Sequence, residues 1–126
     1  MVEPVTLKVN GSSTWLNDAN TKLITLYCPA SSAKSMHDCT DNTDYKVPTG
    51  KKFIILHMVW TASSDADTYV DFNTTADTDA GGTQFYSTYV KSTSHVVDQT
   101  YIEISAGNYI NHENGVGTLT GIETDT

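Results

Sequence analysis

The residues that could do chemistry in this chain include two cysteines, Cys28 and Cys39, which bracket one polar segment. In an oxidising setting a disulfide between them would close a short loop and stabilise the fold by about 3 kcal/mol. Without a recognisable secretion signal the alternative is a pair of free thiols. The sequence leaves both states open.

A partial metal-binding pattern overlaps the second cysteine, where His37, Asp38 and Cys39 are consecutive. With Cys28 they would supply four donors. Structural zinc sites, however, usually pair their ligands at C-x2-4-C spacing, which is missing here. We therefore predict no metal site at this segment.

Aspartates also alternate in two polar turns, as carboxylates do in calcium-binding loops. No D-x-D-x-D-G run accompanies them, and aspartate is itself a favoured turn residue. The pattern indicates turns rather than a calcium site. The four residues are Asp65, Asp67, Asp77 and Asp79.

Known catalytic patterns are missing from the sequence, which has no G-x-S-x-G, H-E-x-x-H or glycine-rich phosphate loop. His57 lies within an apolar run, where a hydrogen-bonded core or interface histidine is the usual case. His37, His95 and His112 are isolated from any nucleophile motif. We predict no enzymatic activity, no catalytic residues and no cofactor.

Aromatic side chains are the remaining candidates for recognition, at 10% of the chain. Exposed aromatic rings anchor subunit interfaces, and beside Asn and Asp they can also stack on sugars. The candidates for an interface or a glycan contact are Trp15, Tyr86, Tyr89 and Tyr109.

The charge balance excludes two classes of partner. The net charge is −8, and all seven basic residues are lysines. Binding to nucleic acids requires basic patches, usually rich in arginine, and binding to anionic lipid also requires positive charge. We expect neither nucleic acid nor membrane as a partner.

The elements that must position these residues are short runs in which apolar residues recur with a period of two, the pattern of half-buried strands. They predict roughly eight to ten strands in a single all-β domain spanning 1–126, an antiparallel β-sandwich. Segment 29–44, which is polar and without period, is predicted to be one long loop. The runs are 5–9, 22–28, 51–61, 68–73, 83–91, 96–97, 101–105, 108–112 and 116–124.

Run 51–61 is apolar on both faces and is predicted to be the central strand of a sheet. Strict alternation places Phe53, Ile55, His57 and Val59 on one face. The other face would carry Ile54, Leu56, Met58 and Trp60.

Three segments resemble small structural proteins of tailed phages and related viruses. The segments are YKVPTGKKFIILHMVWTASS at 45–64, YIEISAG at 101–107 and GTLTGIE at 117–123. In those proteins a Tyr-x-Val-Pro-x-Gly-Lys stretch leads into a long apolar strand. The similarity covers about residues 45–124, whereas the first 44 residues match no pattern of the family.

The resemblance implies a jelly-roll fold and a virion protein without an active site: a capsid decoration or spike subunit, or a tail-associated one. The implied partners are major capsid or tail proteins and further copies of the chain, with a trimer favoured. The resemblance also implies that the chain is made in the host cytoplasm without a signal peptide and ends up in the virion. The alternative is a carbohydrate-binding or receptor-binding module that contacts cell-surface glycans.

Overall fold

The computed structural model describes residues 6–9, 12–15, 20–29, 34–76, 81–99 and 101–126, and within them the chain forms twelve strands and no helix. The strands are β1 (Thr6–Val9), β2 (Ser12–Trp15), β3 (Thr21–Tyr27), β4 (Lys34–Ser35), β5 (His37–Asp38), β6 (Lys51–Thr61), β7 (Ala66–Asn73), β8 (Thr83–Val90), β9 (His95–Asp98), β10 (Ile102–Ser105), β11 (Tyr109–Glu113) and β12 (Val116–Asp125).

Two antiparallel sheets pack against each other, so the predicted β-sandwich is confirmed. The large sheet has the order β10-β6-β12-β3-β5, and β9 joins the same edge of β6 as β10. The small sheet has the order β4-β11-β7-β8, while β1 and β2 pair in a separate two-stranded antiparallel sheet. The jelly-roll connectivity that the resemblance implies stays a prediction.

The core lies between the two sheets and consists of side chains that alternate inward along each strand. Trp60 and Met58 of the large sheet are fully buried with Val70 and Ile110 of the small sheet. Complete burial of each such side chain stabilises the fold by ~1.5–3 kcal/mol. Apolar packing across the interior therefore holds the two sheets together.

Strand β6 has the predicted bounds and the predicted central place, but its faces differ from strict alternation. The register with β12 shifts between Thr120 and Gly121, so that Thr120 opposes His57 and Gly121 opposes Ile55. Leu56 is the extra residue of this β-bulge, and a bulge reverses the direction of the side chains that follow. Phe53 and Ile55 therefore share the core with Met58 and Trp60.

The predicted long loop 29–44 also needs correction, because it contains two short strands. β5 pairs with β3, and β4 pairs with β11 of the other sheet. Met36 between them is fully buried, and its backbone N–H donates to the carbonyl of Ile110. Two-residue strands carry no detectable period, which explains why the sequence did not show them.

Candidate functional site

The four aromatic candidates do not form one surface. Tyr86 points inward from β8, stacks on Trp60 with a centroid distance of 6.4 Å, and donates its hydroxyl to Asp98. It therefore belongs to the margin of the core. Trp15 lies in β2, and its side chain is outside the described residues.

The other two candidates lie on the outer side of the small sheet, far from each other. Tyr89 opposes Asp67 at the start of β7 and is 53% exposed. Tyr109 opposes Asn73 at the end of β7, and Lys46 Nζ lies 5.4 Å from its ring centroid. Each ring thus has its own local partner at one end of the sheet.

The structure does not bring the two cysteines together, and both are free thiols. Cys28 follows β3 on its core side, whereas the N–H of Cys39 donates to the carbonyl of Thr25, three residues earlier on that strand. Three residues of strand separate positions by about 10 Å, which is more than the ~7 Å between Cα atoms that a disulfide can span. Burial raises the pKa of the Cys28 thiol to about 12.

The residues considered for metals have other partners. His37 Nε2 lies 3.0 Å from a carboxylate oxygen of Asp44. Asp65 accepts hydrogen bonds from the Ser92 N–H and the Tyr89 hydroxyl, and these hydrogen bonds lower the pKa of Asp65. Within the ranges that the structure describes, no three His, Cys, Asp or Glu side chains are grouped as metal ligands would be, and Asp77 and Asp79 fall outside those ranges.

One broad surface is open to a partner: the outer side of the large sheet near the end of β6. Two neighbouring rows cross it, one formed by Val97, Val59, Thr118, Tyr27 and His37 and the other by His95, Thr61 and Val116. We call these eight residues the open face. Val97 is 52% exposed and Val116 is 38% exposed, so apolar atoms are available for contact.

The chemistry of the open face contrasts with that of the whole chain. None of its eight residues is an aspartate, glutamate or lysine, although the chain carries a net charge of −8. The carboxylate of Asp44 borders the face, where it pairs with His37. Charged side chains return further along the sheet, beyond the row of His57 and Thr120, where Glu103 forms an ion pair with Lys52 at 3.1 Å. Depletion of charge around exposed apolar side chains is typical of the centre of a protein interface.

A second candidate site lies at one end of the sandwich, where three turns meet. They are residues 62–65 between β6 and β7, 91–94 between β8 and β9, and 114–115 between β11 and β12. We call this region the loop end. It contains a cavity of about 350 Å³ lined by Ala62, Ser63, Ser64, Ala66, Asn114, Gly115 and Val116.

Hydrogen bonds between the turns shape the loop end. The hydroxyl of Ser92 donates to the carbonyl of Ser63 at 3.2 Å, and Asp65 holds the N–H of Ser92. Asn114 donates its amide N–H to the carbonyl of Asp67. The cavity is therefore built from turns that neighbouring strands fix in place.

The sequence analysis did not select the cavity residues, although one signal was available. Asn114-Gly115 separates two alternating runs, and that dipeptide is the strongest short-range sign of a two-residue hairpin. Both residues have positive φ, 59° and 67°. Ser63 and Ser64 carried no signal, because they reach the site only through the pairing of β6 with β12.

Comparison of the chain with protein-family models, curated proteins and solved structures finds no match. In the described part of the chain, no helix has the length and apolar character needed to span a membrane.

Proposed function

We propose that this chain is a non-enzymatic structural protein of a virus particle that acts through protein–protein contacts. The observation that supports the proposal most is the open face, an apolar and hydroxyl-rich surface without charged Asp, Glu or Lys on a strongly acidic chain. The first partner of this surface is a second copy of the chain, in a closed symmetric assembly for which a trimer is favoured.

The shape of the open face suits such a partner. Its two rows run across the edge strand β9 and the two long central strands β6 and β12 of the large sheet. The bulge at Leu56 turns Val59 outward, and that change of direction adds a half-buried valine between Val97 and Thr118. A rigid, preformed surface loses little conformational freedom when it binds.

The assignment to a virus particle comes from the resemblance of 45–64, 101–107 and 117–123 to phage structural proteins. These segments overlap β6, β10 and β12; β6 and β12 supply four of the eight residues of the open face, and β10 pairs with β6 beside them. Within the proposal, a capsid decoration or spike protein is the first role, major capsid or tail proteins are further partners, and the virion is the site of action.

The test measures the molar mass of the purified chain by light scattering over a concentration series. Val97→Asp should weaken self-association by at least about 30-fold, because an interface related by symmetry loses roughly 1 kcal/mol of valine burial in each copy. Ser87→Asp is the matched control, since Ser87 is exposed on the small sheet. A wild-type chain that stays monomeric at every concentration would refute the proposed self-association, as would equal effects of the two substitutions.

A carbohydrate-binding or receptor-binding module is the second candidate function, and one observation at the loop end favours it. The exposed ring of Tyr89 is held by a 3.0 Å hydrogen bond to Asp65, close to the turns that line the cavity. A fixed aromatic ring beside a polar cavity suits stacking on a sugar. Binding to a glycan array would support this function, and an array without any bound glycan would contradict it.

A further inference from the structure

We propose that the cavity of the loop end is a site for a small uncharged ligand that carries hydroxyl groups and one methyl-bearing amide, the chemistry of an N-acetylated sugar. The inference rests on the second candidate function and specifies where that ligand would bind. It does not require self-association through the open face, although Val116 belongs to both surfaces.

The lining of the cavity divides into two kinds of surface. Ser63, Ser64 and Asn114 present hydroxyl and amide groups that can both donate and accept hydrogen bonds. Ala62, Ala66 and Val116 present small apolar groups. A ligand with hydroxyls on one side and a methyl group on the other matches both surfaces.

The charges around the cavity favour an uncharged ligand. No acidic or basic side chain is among the seven residues that line it. Asp65 lies between two of the lining residues but is engaged by Ser92 and Tyr89, and an anion would be repelled by it and by Asp67. A metal cation would lack carboxylate ligands in the cavity itself.

A buried hydroxyl next to the cavity floor lacks a partner. Thr68 Oγ1 is fully buried and has no hydrogen-bond partner among the described residues. A Cβ atom on Gly115, which lines the cavity, would lie 2.8 Å from this oxygen. The unpaired hydroxyl therefore packs directly against Gly115, a residue that lines the cavity.

The size and position of the cavity also suit a ligand. A volume of about 350 Å³ lies near the lower end of the range for small-molecule sites. Thr93 in the turn 91–94 has a φ of 64°, which is unusual for a β-branched residue, and such backbone outliers concentrate at binding sites. The turn that it shapes supplies Ser92, which holds both Ser63 and Asp65.

The experiment is a titration of the isotope-labelled chain with N-acetylglucosamine, followed by NMR of the backbone amides, with glucose and acetamide as separate probes. We expect N-acetylglucosamine to shift the signals of residues 62–66 and 114–116 and to bind more tightly than either probe. Glucose or acetamide that binds as tightly as N-acetylglucosamine would overturn the proposed ligand class.

Two variants remove polar groups from the cavity, and Asn114→Gly also removes the hydrogen bond from Asn114 to the carbonyl of Asp67. Ser64→Ala deletes an exposed hydroxyl, and Asn114→Gly keeps the positive φ while it removes the side-chain amide. Each should weaken binding by about 3- to 10-fold, the value of one neutral hydrogen bond. Ser87→Ala on the small sheet is the control and should bind as the wild type does.

The possible failures can be told apart. Glycans that bind to the array while the shifted signals lie elsewhere would keep the second candidate function and overturn this site. Titrations without any shift for the three probes would overturn the site as well. Equal affinities of wild type, Ser64→Ala and Asn114→Gly would show that the two side chains do not contact the ligand and would overturn it too.

Discussion

Gly117→Ala should strongly destabilise the chain, because β12 passes very close to Trp60 at this position. Gly117 opposes Trp60 in the pairing of β12 with β6 and lies between Val116 and Thr118 of the open face. A Cβ atom here would collide with the carbonyl oxygen of Val59 and lie 2.6 Å from Cε3 of Trp60. Neither neighbour can move freely, since one is ladder backbone and the other a fully buried indole.

The magnitude follows from these contacts. A carbon–carbon distance of 2.6 Å is roughly 1 Å shorter than the optimum of ~3.5–4.0 Å. Overpacking of this kind costs ~1–3 kcal/mol, and two rigid neighbours place the cost near the upper end, at about 3 kcal/mol. For a chain of this size, such a loss should lower the Tm by about 12 °C.

Differential scanning calorimetry of the wild type, Gly117→Ala and a control variant, Gly50→Ala, checks this prediction. Gly50→Ala is the control, because Gly50 has a φ of 79° but nothing within 4 Å of an added Cβ. Gly50→Ala should lower the free energy of unfolding by only about 1–2 kcal/mol, the cost of placing an alanine in the left-handed backbone region. If Gly117→Ala melts no earlier than Gly50→Ala, the close packing of β12 on Trp60 is refuted.

Two further predictions concern buried polar groups. A thiol reagent should modify the exposed Cys39 quickly. It should modify Cys28 only on unfolding, because burial raises the pKa of the Cys28 thiol to about 12. Rapid reaction of both thiols, or an intrachain disulfide after oxidation, would contradict this prediction. Tyr45→Phe removes a 3.0 Å hydrogen bond to the buried Glu123 and should lower the free energy of unfolding in urea by about 1–3 kcal/mol. Burial also raises the pKa of the Tyr45 hydroxyl above its ordinary value of 10.0, so the unfolded chain releases this proton first, and wild-type stability should fall as the pH rises above 10. Above pH 10, the free energy of unfolding of Tyr45→Phe should fall less steeply with pH than that of the wild type. Identical pH dependence in the two chains would rule out this role of the hydroxyl.

The sequence predicted the elements whose pattern is local. β6 was placed at its observed bounds, because eleven consecutive residues with apolar character on both faces identify a central strand. β7, β8 and β12 were placed to within about two residues at each end, since alternation and turn residues mark their limits. The sandwich itself followed from the spacing of these strands.

What the sequence could not show depends on pairing between distant strands. The bulge at Leu56 exists only in the register of β6 with β12, so the prediction of one face with Phe53, Ile55, His57 and Val59 was wrong. For the same reason the sequence left the disulfide of Cys28 and Cys39 open, whereas the ladder of β3 and β5 separates the two residues.

The sequence did not locate either candidate surface. The sequence indicated an interface protein with aromatic contacts, and the residues it selected turned out to have separate roles. Tyr86 supports the core, and Tyr89 donates a hydrogen bond to Asp65 beside the cavity. The open face consists instead of valines, threonines, histidines and Tyr27, which single-strand patterns do not distinguish from ordinary surface.

The most direct test of the central claim is methyl NMR of the wild-type chain over a concentration series. The account predicts that the methyl signals of Val59, Val97 and Val116 shift or broaden as the concentration rises. Those of Val70 and Val90, which are fully buried in the core, should stay constant. Unchanged signals from the three open-face valines in an associating sample would contradict the account, as would a chain that does not associate at any concentration.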